Sequence, residues 1–319
     1  MTSNGMESEF RKDLVSEEWV LIAGGRSKRP HAPKPRAESY QGTDDCPFEG
    51  MKDFVTVIEN KFPAVVQGRS CAIEQRDGYS ITAGVGIHEL FIMKDHDLQL
   101  YDFSTAQMGE VITAYRNHYR EIAATDRCGQ YIMIFNNYGR EGGASVHHPH
   151  SQVISVPIIP PNVMRSIGGS YDYFKKYGVE AHALMIEKEI AQKKRVIFEN
   201  DQFIAFCPFV SRHPYEMRIY PKFAAAHFDH LEDQSIFPLA EAFGTVLKKM
   251  HKNLNDPAFN FFIHTAPLHY EKSDLSFDQY YRWHIELIPR VSFDAGFEAG
   301  TGIKINIIDP DYAAQTINS

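Results

Sequence analysis

Cysteine, tryptophan, long apolar runs and excess positive charge are all scarce in this sequence. Four cysteines (Cys46, Cys71, Cys128, Cys207) are scattered through 319 residues, with no C-x-x-C pair and no disulfide-like spacing, so no disulfide framework is expected. No apolar stretch approaches the length of a membrane span and residues 1–10 are polar, so neither anchor nor signal peptide is expected and the location implied is cytoplasmic. A net charge of −8 argues against a nucleic-acid binder, whose footprint would be basic. An anionic small molecule stays open, because local donors matter more than the global sum. What remains is an ordinary soluble composition, 43% hydrophobic and 23% charged, in a chain long enough for two domains or a duplicated one.

The stretch 135–152, F-N-N-Y-G-R-E-G-G-A-S-V-H-H-P-H-S-Q, concentrates the chemistry. A short strand-type run, 131–135, leads into Gly139, Gly142 and Gly143, which suit a tight loop whose backbone N–H groups can approach an anion. His148, Pro149, His150 and Gln152 follow, and a second apolar run begins at Val153. Residues two apart in an extended segment share a face, so His148, His150 and Gln152 are expected to point the same way. Two imidazoles and a carboxamide beside a glycine-rich turn suggest phosphate chemistry, with an imidazole attacking phosphorus and fixed donors holding the oxyanion. The plainer alternative is three polar residues on the wet face of an edge strand.

Earlier in the chain, Arg26, Lys28 and Arg29 follow a strand-like W-V-L-I-A and could clamp a phosphate. Cys46-Pro47-Phe48-Glu49 reads as half of a zinc site in which a carboxylate replaces the second sulfur. Residues 104–125 form a helix on the spacing of Met108, Val111, Ile112, Tyr115, Tyr119 and Ile122, with Ser104 or Thr105 as N-cap. The Pro- and Gly-rich stretch 156–169 marks a boundary, placing one domain at 1–165 and a second at 166–319, and 171–194 reads as helix. The pattern then starts again: Glu199-Asn200 echoes Glu59-Asn60, and a helix carrying Leu239, Phe243 and Met250 echoes the first. The stretch 283–289 falls where His148-Pro149-His150 fell, with Glu286 expected in the place of His150. Two diverged copies of one α+β unit follow, with the nucleophile kept only in the first.

Together these residues resemble the galactose-1-phosphate uridylyltransferase family, the transferase branch of the histidine-triad superfamily. The resemblance rests on W-V-L-I-A-x-x-R-x-K-R-P, C-P-F, E-N-K-F-P-A, N-x-G-x-x-x-G-x-S-x-x-H-P-H-x-Q and a late G-F-E-x-G-T-G, spread over almost the whole chain. It implies an α+β fold of two histidine-triad-like repeats, each an antiparallel sheet with packed helices. It also implies a ping-pong transfer in which His150 attacks the α-phosphorus of a nucleotide sugar and a phosphate-bearing acceptor, sugar 1-phosphate or phosphate, later takes the nucleotide. Gln152, Asn137 and Ser145 would hold phosphate oxygens, Arg26 and Arg29 the departing or incoming phosphate, and Asn60, Gly143 and Ser151 would also bind substrate. Phe297 and Glu298 match sugar-contacting positions that in that family act across a homodimer interface. A metal, zinc with iron also admitted, would sit on Cys46, Glu49, His96 and His148. A second metal site has Glu180, Ala183 and Ala224 at most of its places, leaving His284. An iron-type variant would use His264, His284 and Glu286, although a hydrogen-bonded structural role fits those residues better. Ser151 and Lys61 depart from the uridylyl pattern. H-P-H-S-Q points toward an adenylyltransferase or ADP-sugar phosphorylase using inorganic phosphate as the alternative reading, and a non-catalytic nucleotide-binding protein is the alternative from another class.

Overall fold

Residues 8–25, 46–68, 70–270 and 274–319 are described by a computed structural model. Arg26, Lys28 and Arg29 lie outside them. The first half supplies strands β1 (Glu9–Lys12), β2 (Trp19–Ile22), β3 (Val55–Glu59), β4 (Glu74–Arg76), β5 (Tyr79–Ile81) and β6 (His88–Met93), helix α1 (Thr105–Thr125), then β7 (Tyr131–Tyr138) and β8 (His150–Val156). Helices α2 (Pro161–Tyr177) and α3 (Ala181–Gln192) follow, and then β9 (Val196–Glu199), β10 (Phe203–Phe206) and β11 (Met217–Pro221). Helix α4 (Asp233–Asn253), β12 (Phe259–His264), β13 (His284–Pro289), α5 (Gly296–Thr301), β14 (Lys304–Asn306) and α6 (Pro310–Asn318) complete the chain. None of the described helices is long and apolar enough to cross a membrane.

Nine strands form one sheet in the order β3-β6-β8-β7-β12-β13-β11-β10-β9. Its two halves repeat one topology. In each, four antiparallel strands run first-second-fourth-third, with a long helix between the second and third: β3, β6, β7, β8 around α1, and β10, β11, β12, β13 around α4. The halves join edge to edge where β7 pairs antiparallel with β12. Helix α1 starts at a capping box, in which Ser104 Oγ accepts from Gln107 N at 3.3 Å and Gln107 Oε1 accepts from Ser104 N at 2.9 Å. Its apolar stripe and that of α4 lie on one face of the sheet, in a core running from Phe91 and Tyr115 to Phe243, Phe261 and Trp283. Burying a stripe on each helix against a shared sheet is what holds the two copies together.

Several expectations change. The stretch 156–169 is a helix start, because Pro161 at the first helical position has the right φ and no N–H to lose. Gly169 lies inside α2, where any side chain would run into the Val15 carbonyl of the β1–β2 hairpin. The single helix expected over 171–194 breaks at Gly178, in the left-handed region at φ 71°. Cys71 and Cys128 form a disulfide, with Cα atoms 5.7 Å apart across 57 residues, because the excursion carrying β4 and β5 folds back over the end of α1. Only Cys46 and Cys207 are free thiols among the described residues.

The register also revises the match between copies. Gln152 pairs with Leu90 and Phe135, while Glu286 pairs with Arg218 and Phe262, so Glu286 stands opposite Gln152 and His284 opposite His150. Both imidazoles open their strands, and each donates from Nδ1 to the carbonyl two residues before it. The chain between β12 and β13 is longer than that between β7 and β8, which hides the match in sequence. The second copy therefore retains an imidazole at the matching place. His284 and His150 are buried alike, at 5% and 7% exposed, and what differs is their surroundings. His284 stands beside His182 of α3, stacked on Tyr220 and near the ion-paired Glu286, whereas His150 stands near Gln152 and Asn137, which keep partial exposure.

Candidate active site

Strand β8 opens at His150, so alternation puts His150 and Gln152 on one face and turns Ser151 to the other. Ser151 is fully buried against α1, where its Oγ accepts from Tyr115 Oη at 2.5 Å and from Asn136 Nδ2 at 3.3 Å. The substrate contact expected of its side chain does not fit that placement. His148 precedes the strand and leaves the shared face expected of it. Its Nε2 donates to the Met93 carbonyl at 2.6 Å, directing Nδ1 elsewhere.

His150 Nδ1 donates to the His148 carbonyl at 2.8 Å, which fixes the tautomer and leaves the Nε2 lone pair with no partner among the described residues. Burial pushes the imidazole below its ordinary pKa, more than its bond to that carbonyl raises it. The ring is thus neutral and nucleophilic near pH 7. Phe48, from the C-P-F segment, packs on it at 5.5 Å between centroids and on the His148 ring edge-on at 5.9 Å.

The carboxamide of Gln152 is oriented by His88. The Ala64 N–H donates to His88 Nδ1 at 2.9 Å, so the proton of that neutral imidazole sits on Nε2, which donates to Gln152 Oε1 at 3.0 Å. Gln152 Nε2 is then the end offered to a ligand. Asn60 abuts the same imidazole at 3.1 Å, its Oδ1 accepting from Phe62 N at 2.9 Å. Sequence reasoning places His88 within a strand and finds no such use for it.

The glycine loop closes on itself through Gly142 N to Gly139 O at 3.1 Å and Gly143 N to Arg140 O at 2.9 Å. Gly139 and Gly143 have φ of 73° and 84°, and any side chain on Gly142 would meet the carbonyls of Tyr138 and Phe259. Gly143 and Ser145 are exposed on the loop, and the Asn137 carboxamide nitrogen lies 3.9 Å from where a Cβ on Gly143 would stand. Phe297 and Glu298 stand on exposed α5, where Glu298 accepts from Ala295 N at 3.0 Å. Within the described residues of one chain nothing brings them to His150.

Cys46, Glu49, His96 and His148 do come together, with ligand atoms all within 4.8 Å of one another. His148 Nδ1 lies 3.6 Å from Cys46 Sγ, 3.1 Å from His96 Nδ1 and 3.8 Å from Glu49 Oε1, and His96 Nδ1 is 3.0 Å from the same carboxylate oxygen. Ligands of a tetrahedral zinc ion at about 2.0–2.3 Å would stand roughly 3.3–3.8 Å apart. Two of these pairs match, and the two made by His96, at 3.0 and 3.1 Å, need a shift of roughly a few tenths of an ångström outward to take such an ion. The Met93 carbonyl holds the far side of the His148 ring, as an outer hydrogen bond to a metal-binding histidine does. The second cluster, His264, His284 and Glu286, is differently engaged: Glu286 accepts from Arg212 at 2.7 Å and pairs with Arg218 at 3.3 Å. Glu180 is likewise taken by Arg282 at 2.6 Å. Both fit the structural role expected.

Comparison with known proteins bears on these features. A family model described as a domain of unknown function (DUF4921) matches residues 49–318. The chain is 33% identical to the ADP-glucose phosphorylase of Arabidopsis thaliana, over 97% of this chain and 92% of that protein. It is 26% identical to the galactose-1-phosphate uridylyltransferase of Thermotoga maritima, over 97% of each. A crystal structure of the Arabidopsis ADP-glucose phosphorylase with bound ADP-glucose superposes with a TM-score of 0.81 at 30% identity, covering 98% of this chain and 99% of that one.

Proposed function

The chain belongs to the galactose-1-phosphate uridylyltransferase family and is a nucleotidyltransferase, and from that premise we propose that His150 carries a nucleoside monophosphate from a nucleotide sugar to a phosphate-bearing acceptor, a sugar 1-phosphate in the first instance. The observation that carries this reading is the His150 ring, held by the His148 carbonyl with its Nε2 unpartnered on the face of Gln152.

In the first half-reaction the Nε2 lone pair forms a bond to the α-phosphorus while the bond to the bridging oxygen breaks, and the sugar leaves as its 1-phosphate. No base is needed, because the attacking nitrogen carries no proton. The ring becomes cationic, and its Nδ1–H on the His148 carbonyl stabilises that charge. Gln152 Nε2, Asn137 and Ser145 donate to the non-bridging oxygens. In the second half an acceptor phosphate oxygen attacks the same phosphorus and the imidazole leaves unchanged. Cys46, Glu49, His96 and His148 would hold a zinc ion whose contribution is to fix the segment feeding β8. A homodimer placing the partner's α5 near this site and a cytoplasmic location belong to the same reading.

A second reading is favoured by the 33% identity to an ADP-glucose phosphorylase and by Ser151 in H-P-H-S-Q: an ADP-sugar donor with inorganic phosphate as acceptor. One experiment tests both. The protein is incubated with α-labelled UDP-glucose, ADP-glucose and GDP-mannose in turn, and acid-labile label is followed in wild type and His150→Ala. Label from UDP-glucose released by hexose 1-phosphate supports the first reading, and label from ADP-glucose released by phosphate the second. Label that survives His150→Ala overturns both.

A further inference from the structure

We propose that Asn260, from the second copy, is a positioning residue that sets which end of the Asn137 carboxamide faces the phosphate. Asn260 lies on β12 in register with Asn137 of β7, at the seam between the copies. Its Nδ2 donates to the Gly142 carbonyl at 2.7 Å and to Asn137 Oδ1 at 2.8 Å. The Gly142 carbonyl can only accept, so the atom of Asn260 facing it must be the amide nitrogen. That nitrogen in turn requires the oxygen of Asn137 to face it. The remaining end of Asn137, Nδ2, is then the one turned toward Gly143.

A carboxamide free to rotate could present either a donor or an acceptor to a phosphate oxygen, and the acceptor would repel it. Fixing the oxygen from behind removes that choice before substrate arrives, which is the condition under which a donor acts most strongly on developing charge. Asn137 and Gln152 are thereby set by the same device, a hydrogen-bond chain that ends on a main-chain atom. Gly142 O acts through Asn260 in one case, and Ala64 N–H acts through His88 in the other. The second copy thus has a part in the reaction through β12.

This inference rests on His150 being the nucleophile and Asn137 holding a phosphate oxygen. The test is single-turnover adduct formation with α-labelled ADP-glucose and UDP-glucose in wild type, Asn260→Asp, Asn260→Ala, Asn137→Ala and the double variants, with a thermal melt of each. Asn260→Asp keeps the shape but cannot donate, and Asn260→Ala removes both bonds without adding charge. Removing an oriented donor costs on the order of 10²-fold in rate. The expected result is a loss of that order in the maximal rate with KM little changed, and no further loss when Asn260→Ala is added to Asn137→Ala. Labelling at the wild-type rate in both folded Asn260 variants would overturn the proposal, as would losses that multiply in the double variant. Should wild type take no label from either donor, the nucleophile assignment fails instead, and the two failures are distinguishable.

Discussion

Glu286 offers a sharp test of how the second copy is built. Its carboxylate is 1% exposed and lies between two guanidiniums, 2.7 and 2.9 Å from Arg212 Nη2 and 3.3 Å from Arg218 Nε, with His264 Nε2 at 3.7 Å. Arg218 has a second partner in Glu216, at 2.6 Å. Replacing Glu286 by Gln keeps the volume and removes the charge, leaving the guanidiniums facing each other with less compensation. Breaking a buried pair in this way costs about 3–5 kcal/mol. At roughly 2–4 °C per kcal/mol for a large domain, the midpoint of thermal unfolding should fall by about 6–20 °C. Burial pushes the Glu286 pKa up, but Arg212 and Arg218 outweigh it and hold the group well below its ordinary value. The folded state therefore binds this proton less readily than the unfolded chain. Its contribution is fully present above the unfolded carboxylate value near 4.3 and is lost as pH falls through the lower folded value. Wild type and Glu286→Gln should differ most at neutral pH and converge in strong acid. The assay is urea unfolding of both proteins at pH 7 and at falling pH. A Gln variant within about 1 kcal/mol of wild type at pH 7 would refute the reasoning, since the pair would then contribute no more than an exposed one.

Two further outcomes follow from the metal cluster and the disulfide. Purified protein should carry one zinc ion per chain by mass spectrometry, Cys46→Ala should lose it, and stripping it should lower both stability and adduct formation; a metal-free protein with full labelling would remove the cluster from the account. Reducing Cys71–Cys128, which closes 57 residues, should destabilise the fold by up to about 4 kcal/mol on a chain-entropy estimate; melting with and without dithiothreitol measures this, and an unchanged midpoint would show the linkage to be absent in solution.

The parts of the site legible in sequence are those whose logic is local. The H-P-H-S-Q run, the glycines before it and the strand-type residues on either side occupy consecutive positions, so alternation sufficed to place His150 with Gln152. The long helices were equally legible, because an apolar stripe of period 3.6 is written into the chain itself. Cys46, Glu49, His96 and His148 could be assembled only by resemblance, since no spacing links a loop to residues that the sheet later brings within 4.8 Å.

Three-dimensional packing decided the rest. Strand pairing, set by turns of unequal length, put His284 rather than Glu286 opposite His150. Helix α3 brought His182 beside the retained imidazole of the second copy. The sheet seam carried Asn260 to Asn137, and the back-fold over α1 joined Cys71 to Cys128. The sequence by itself determined which groups could do nucleotidyl chemistry, because reactivity resides in side-chain type and near neighbours. Only the tertiary structure decided what surrounds each imidazole and which end of each carboxamide faces the ligand, because packing and hydrogen-bond direction depend on residues far apart in the chain.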